Sequence, residues 1–427
     1  MASALSGDRI RFLLNQLKGR LWVKPLVVCL LSIGAAFVAK LADDTILTKL
    51  VPVIAPDSIE TLLSIMASSM LVIATFSVSS MVSAYASASN TATPRSFTLV
   101  VADDASQNAL STFVGAFIFS IVALTAAKND YFQTAGLFIL FVLTIIVFGI
   151  VIMMFVRWVD RIARLGRLGT TIEKVEAATS KALIHRGKHP TLCGAKVTGT
   201  CRKRAIYSNK VGYIKHIDLQ SLQAWAEEAN VRVEISSLPG TFASPDRVLA
   251  YICADSGNAE DINDSFIFTS FEIGSERLFD DDPRFGLVVL SEIAGRALSP
   301  AVNDPGTAIS IIGTLLRLFH TLNSCSKQES NETLYNRIEV PELAVKDMFD
   351  DAFTSLARDG AGILEVSVRL QKTLHSLALC DDEAMTEAAI AQAKLALKRS
   401  ELAFTIEEDL IEVKKIANQT LSCKSVS

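Results

Sequence analysis

The sequence predicts a membrane α-helical fold with four transmembrane helices, followed by a cytoplasmic α+β region, and three observations carry that prediction. Half of the 427 residues are hydrophobic and the mean hydropathy is +0.37, which is high for a water-soluble chain. Nearly all of this excess falls before residue 157, in four apolar runs that each reach the ~20 residues a bilayer crossing needs. Beyond that point the composition becomes that of an ordinary globular chain, first strand-like and then helical.

The four spans are read at about Leu21–Ala42, Ile59–Tyr85, Ala109–Ala127 and Thr134–Val156. Lys24 and Lys40 flank the first, placed to snorkel toward opposite surfaces. A long basic lead and the lack of an A-x-A site make this run a retained span rather than a cleaved signal peptide. Arg9, Arg11, Lys18, Arg20 and Lys24 precede the first span, and Arg157, Arg161, Arg164, Arg167 and Lys174 follow the fourth. The first outer loop instead carries Asp43, Asp44, Asp57 and Glu60 against Lys49. Basic flanks stay on the cytoplasmic side, and an even number of spans puts both termini there.

The second span is the unusual one. Ser64, Ser68, Thr75, Ser79 and Ser83 fall within an arc of roughly 100° at ~100° per residue, so they share one helix face. Hydroxyls on one face can replace hydration for a passing ion or solute, which makes this a candidate pore lining. The same pattern is what close helix packing uses, with small residues letting backbones approach. No Asp, Glu, Lys, Arg or His lies deep in any span, which argues against a proton-coupled pump.

Between the second and third spans, Pro94 restarts the chain and Phe97, Leu99 and Val100 give it an apolar side. A short interfacial helix is expected there, with Arg95 at headgroup level and Asp103 or Asp104 capping the third span. After the fourth span a helix from Thr170 to His185 leads to a break at Gly187, Pro190 and Gly194. Strands are then expected at Val197–Cys201, Arg204–Tyr207, Gly212–Ile217, Val231–Ser236 and Arg247–Ile252, interrupted by a helix over Asp218–Asn230. The Pro239-Gly240 turn and the strand order resemble the small barrel of biotinyl and lipoyl carrier domains. The Met-Lys hairpin that carries the cofactor is missing, so a small β-barrel-like unit with a structural role is expected.

From Ser265 onward helices are expected. Asp282-Pro283 and Asp304-Pro305 each read as an N-cap followed by Pro at the first helical position. Ser299-Pro300 ends the helix between them, making Gly295 to Ala308 a compact turn. Arg296, Ser299, Asn303 and Asp304 either converge there as an anion or ligand site at a helix N-terminus, or all cap and tie the turn. Ser324–Asn331 is a polar loop, and Pro341–Asn418 holds three or four amphipathic helices. The domain reading is a cytoplasmic N-terminal segment (1–20), a transmembrane domain (21–157), a helical connector (158–194), a β-rich domain (195–255), a helical signature region (263–323) and a helical C-terminal region (341–427).

The formal charge of −4 with no basic tract speaks against nucleic-acid binding. Seven scattered cysteines without CxxC are expected as reduced thiols. His185, His189, His320 and His375 have no acidic partner in sequence, and no Ser-His-Asp order, Walker loop, HExxH or strand-linked GxGxxG occurs. No cofactor, metal site or catalytic role is expected.

Two stretches carry a family resemblance. One runs Thr93-Pro-Arg-Ser-Phe-Thr-Leu through Asp104 and Gln107 to Thr112-Phe-Val-Gly-Ala-Phe117. The other joins Phe271-Glu-Ile-Gly-Ser-Glu-Arg277, Asp282-Pro-Arg-Phe-Gly286 and Arg296-Ala-Leu-Ser-Pro-Ala-Val-Asn-Asp-Pro305. Together they resemble the bacterial predicted membrane proteins grouped as domain of unknown function 2254, from the first span to roughly residue 322. The resemblance implies an inner-membrane location and the same four-span plan, but no mechanism. The resulting expectation is a homo-oligomeric channel or permeation protein with a cytoplasmic regulatory domain. The alternatives are a membrane-anchored sensor or scaffold for a cytoplasmic protein partner and, least favoured, a membrane-bound enzyme using the Arg296–Asp304 turn.

Overall fold

The computed structural model describes residues 22–41, 43, 51–101, 104–162, 164, 166–199, 203–254, 264–327 and 333–423. It divides into two compact units, a membrane unit ending at Thr171 and an α/β unit beginning at Ile172.

The membrane unit contains α1 (Val23–Leu41), α2 (Pro56–Thr91), a short 3₁₀ turn (Pro94–Ser96), α3 (Phe97–Val101), α4 (Asp104–Lys128) and α5 (Thr134–Ile162). Four of these, α1, α2, α4 and α5, are long and apolar enough to cross a membrane. Their positions agree with the four expected runs. At 1.5 Å per residue the 36-residue α2 is about 54 Å long, well beyond the ~30 Å hydrocarbon core. Its polar final turns therefore have room to leave the bilayer.

Helix α4 packs against α1, α2 and α5. It can do so because it buries small residues, Ala109, Ala116 and Ala123, between the larger Phe113 and Phe119. Helix α2 meets it through Leu63, Met66, Met70 and Ala74, a spacing of three and four that keeps one stripe inward. On α5 the inward side is narrower, and Ile145, Ile146, Ile152, Met153 and Val156 are exposed. That outward apolar band is what a lipid-facing helix presents.

The α/β unit starts on α6 (Leu168–Lys188) and continues through β1 (Gly194–Ala195), β2 (Lys203–Tyr207), β3 (Gly212–Ile217), α7 (Leu219–Glu228), β4 (Val231–Ile235), β5 (Phe242–Ala243), β6 (Val248–Ala254), α8 (Ser265–Ser270) and β7 (Phe271–Gly274). Then come α9 (Pro283–Ala297), α10 (Pro305–Ser326), β8 (Tyr335–Glu339), α11 (Val345–Asp359), α12 (Leu364–Ala378), α13 (Glu383–Ala403) and α14 (Glu407–Leu421).

Here the expected barrel-like unit gives way to two open sheets. One is five-stranded in the order β1-β8-β4-β6-β2, and the other is three-stranded in the order β5-β3-β7. The larger sheet is mixed, because β8 enters parallel to both β1 and β4 while β6 runs antiparallel to its neighbours. A strand from far downstream thus fills the place between β1 and β4, which local reading assigned to no strand at all. Among the described residues of the expected Val197–Cys201 strand, Val197–Gly199 are irregular. Phe271–Gly274, expected as helix, pairs with β3 instead. The two sheets share one core of Ile214, Leu222, Val233, Ile252, Phe271 and Ile338. A second helical layer centres on Phe319, Phe349 and Phe353, whose ring centroids lie 4.4–5.6 Å apart. Cys253 is disulfide-bonded, so the expectation of uniformly reduced thiols fails at that position.

Candidate functional site

Ser64, Ser68, Thr75, Ser79 and Ser83 are all exposed on α2, on the side turned away from α4. None of the five packs into the chain's own bundle. Leu71, Val72, Phe76 and Val82 are exposed alongside them, so the face mixes hydroxyls with large apolar side chains. Two of the hydroxyls are returned to the helix itself. Ser68 Oγ donates to the Ser64 carbonyl at 2.9 Å, and Thr75 Oγ1 donates to the Leu71 carbonyl at 2.8 Å. Such back-bonding satisfies the donor and leaves the oxygen lone pairs available to an outside partner. Chemically, the face can accept hydrogen bonds or solvate a cation, and none of its five hydroxyl groups titrates near neutral pH.

At the end of α2 the chain reverses at Thr93-Pro-Arg-Ser96. Thr93 caps the turn, its Oγ1 accepting from Arg95 N at 3.4 Å, and Ser96 Oγ donates back to the Thr93 carbonyl at 2.8 Å. Arg95 is exposed, as an interfacial cation would be. Helix α3 folds back so that Phe97 meets Tyr85 edge-on at 6.0 Å and Val100 is buried beside Met81 and Ala88. Gln107 is buried in the first turns of α4, and its carbonyl accepts from Ser111 Oγ at 2.6 Å. Asp103 and the side chain of Asp104 lie outside the described residues, and with them the expected cap of α4.

The opposite end of the membrane unit holds a residue whose role local reading missed. Asp43, treated as a loop charge, has a buried carboxylate that accepts from Gly136 N at 2.6 Å and Gln133 N at 2.9 Å. These amides belong to the start of α5, so Asp43 occupies the positive end of that helix from across the bundle. Lys40 pairs with it at 3.3 Å and lies 5.2 Å from the centre of the Tyr131 ring. A Cβ on Gly136 would come within 2.7 Å of Asp43 Oδ2, so only glycine admits the carboxylate this closely.

In the α/β unit, the Phe271–Gly286 stretch of the family resemblance forms the junction of α9 with its surroundings. Asp282 caps α9 through Phe285 N at 3.1 Å and holds Arg277 by two bonds, to Nε at 2.7 Å and Nη2 at 3.0 Å. Burial pushes the Asp282 carboxyl above its ordinary value, while Arg277 and the Phe285 amide pull it back. Gly240, at φ +90°, sits so close behind that a Cβ would overlap the Asp282 carboxylate. Arg284 then reaches α11, meeting Asp351 at 2.6 Å and Asp347 at 3.0 Å. Gly286 faces α6, where a Cβ would overlap Thr179 Oγ1. Glu176 of α6 grips Arg317 of α10 at 2.7 and 2.8 Å. These contacts hold four helices, α6, α9, α10 and α11, to one another.

The Arg296–Asp304 turn is tied the same way. Asp304 caps α10, accepting from Thr307 N at 3.0 Å and from Thr307 Oγ1 at 2.6 Å. Those two bonds hold its carboxyl below the usual range. Ser299 Oγ donates to the Arg296 carbonyl at 2.7 Å, and Asn303 adopts a left-handed backbone at φ 50°. Arg296 is exposed. The structure brings the four residues together around one turn and spends the polar atoms of Ser299 and Asp304 on its closure.

Four apolar helices of crossing length joined to a mixed α/β unit define a polytopic membrane protein with a folded extramembranous portion. The family model described as Predicted membrane protein (DUF2254) matches residues 18–376, and the chain belongs to that family. Over 105 residues it is 31% identical to uncharacterized proteins of Mycobacterium tuberculosis (strain CDC 1551) and Mycobacterium bovis. That stretch is 24% of this chain and 20% of each relative, so the match spans about a fifth of the relatives' length. No solved structure matches the chain.

Proposed function

We propose that the chain assembles as a homo-oligomer in the bacterial inner membrane, with α2 faces lining a shared permeation path. One observation carries the reading: all five hydroxyl residues are exposed, on the side of α2 turned away from α4. Close packing within the chain therefore leaves the stripe unexplained. Against lipid it would face a medium that offers no hydrogen bonds. Around an axis shared by several copies, the hydroxyls meet water or a permeant ion and the flanking Leu71, Val72 and Phe76 pack between copies. A single bundle has no room for such a path, so the reading requires the oligomer.

Purified protein in planar bilayers is expected to pass current under voltage or membrane tension, and Ser79→Leu is expected to reduce it severalfold. Bilayers silent under both stimuli, or a monomer by native mass spectrometry from nanodiscs, would overturn the proposal. The basic flanks support a cytoplasmic α/β unit, which the reading takes as the regulatory part. A disulfide at Cys253 is exceptional in a reducing compartment. Labelling of Cys423 by membrane-impermeant maleimide in intact cells would refute that orientation, whereas protection until lysis supports it.

A second reading, a membrane-anchored scaffold for a cytoplasmic protein, draws on Leu402, Ile406 and Ile411, exposed by 91%, 55% and 58% around the joint of α13 and α14. Apolar side chains gathered at one joint suit a docking partner. Cross-linked pull-downs from membranes that recover no stoichiometric partner, or one unaffected by Leu402→Glu, count against it.

A further inference from the structure

The last turn of α6 buries an arginine that forms no close ion pair among the described residues. Arg186 is 5% exposed, its Nη2 meets the Pro341 carbonyl at 3.5 Å, and its Nε is enclosed without a hydrogen-bond partner. Among the described residues it forms no ion pair, although acids surround it at longer range. Each of those acids is committed elsewhere. Asp281 holds His216 Nδ1 at 2.6 Å, Asp282 holds Arg277 and caps α9, and Glu342 pairs with Lys196 at 3.1 Å. Burial pulls the guanidinium down to about 10 against the opposing fields of Asp281, Asp282 and Glu342, so it stays charged at neutral pH. A buried charge with unmet donors is costly and calls for a partner.

Beside Arg186 lies a cavity of about 220 Å³. Leu183, Leu322, Leu343, Met348 and Met385 supply apolar wall. Asp382 also lines it, but its carboxylate is engaged with Met385 N at 2.8 Å as the cap of α13. Ser326, Glu342 and Ala384 are the exposed members of the lining and mark the side open to solvent. That volume is below the range of drug-sized pockets.

We infer that this cavity is a binding site for a small organic carboxylate with a short aliphatic body, its anionic head on Arg186 and its chain against the leucine and methionine wall. A guanidinium offers five donors in a fork that matches a carboxylate. The leucine and methionine wall favours a ligand with a short aliphatic body over an inorganic anion. The site belongs to the α/β unit, and its existence does not depend on the permeation reading.

The test uses the full-length protein in nanodiscs, with hexanoate, hexanol, hexylammonium, dodecanoate and inorganic phosphate as probes in calorimetry and thermal melts. Hexanoate is expected to bind at least tenfold more tightly than any of the others and to raise the melting temperature. Arg186→Gln is expected to weaken hexanoate at least tenfold while leaving the unliganded melting temperature unchanged or higher, because it removes a buried charge that has no close ion pair. Val345→Phe, which fills the cavity from its wall, is expected to abolish binding with Arg186 intact. Should Arg186→Gln fail to fold, Val345→Phe and the probe series decide the matter. Equal binding of hexanol or phosphate, tighter binding of dodecanoate, binding unaffected by either variant, or no binding of hexanoate would each overturn the inference.

Discussion

Replacing Asp282 by alanine tests whether the Arg277–Gly286 stretch is a structural junction. The substitution removes the cap of α9, worth about 1 kcal/mol. It also strands Arg277, whose side chain is only 18% exposed. Breaking a buried pair from one side costs about 3–5 kcal/mol, and the solvent that Arg277 retains argues for the low end, about 3 kcal/mol. The sum, about 4 kcal/mol, is a large part of the ~5–15 kcal/mol that holds a typical domain together. At about 2–4 °C per kcal/mol for a unit of this size, the melting temperature should fall by about 10 °C. Trp225, on α7, is the one tryptophan of the α/β unit and reports its unfolding by fluorescence in the detergent-purified protein. Asp282→Asn keeps a cap acceptor for Phe285 N and should lose about 1 kcal/mol less. Adding Arg277→Met should restore much of the loss, because no stranded charge remains. A melting temperature for Asp282→Ala within 2 °C of wild type, or no recovery in the double variant, would refute the reasoning.

Three further outcomes follow from the same contacts. Gly286→Ala forces α9 off Thr179 and should cost about 2 kcal/mol, partly recovered by Thr179→Ala, as read by the same melts. Asp304 has its pKa lowered in the fold, so its cap contributes stability above the unfolded value of 3.8 and loses it as pH falls through the lower folded value. Asp304→Ala should therefore destabilise by about 1 kcal/mol at pH 7, and the gap to wild type should shrink in melts near pH 3. Asp43→Ala should leave the Gly136 and Gln133 amides and Lys40 without their acceptor, lowering stability by about 2 kcal/mol. Protease resistance of the membrane unit measures this, and Asp43→Asn should retain part of it.

Short-range signals were the legible ones. Four spans could be placed because a bilayer demands ~20 apolar residues in one run, whatever the rest of the chain does. The Asp-Pro pairs at 282 and 304 were readable as caps because an N-cap bonds amides only two or three residues on. The clustering of Ser64, Ser68, Thr75, Ser79 and Ser83 on one face needed only the helical period. Which way that face points was not in the sequence, since it depends on α4 claiming the other side of α2 through its small residues. Nor was β8, whose pairing with β1 and β4 joins segments more than a hundred residues apart. Arg186 read as one basic residue among several near a helix end. It became a candidate site only when α6, α10, α11 and α13 enclosed it while its neighbouring acids took other partners. Burial and partner choice are properties of the packed chain, because each carboxylate near Arg186 is assigned by contacts along the whole unit rather than by its own neighbours in sequence.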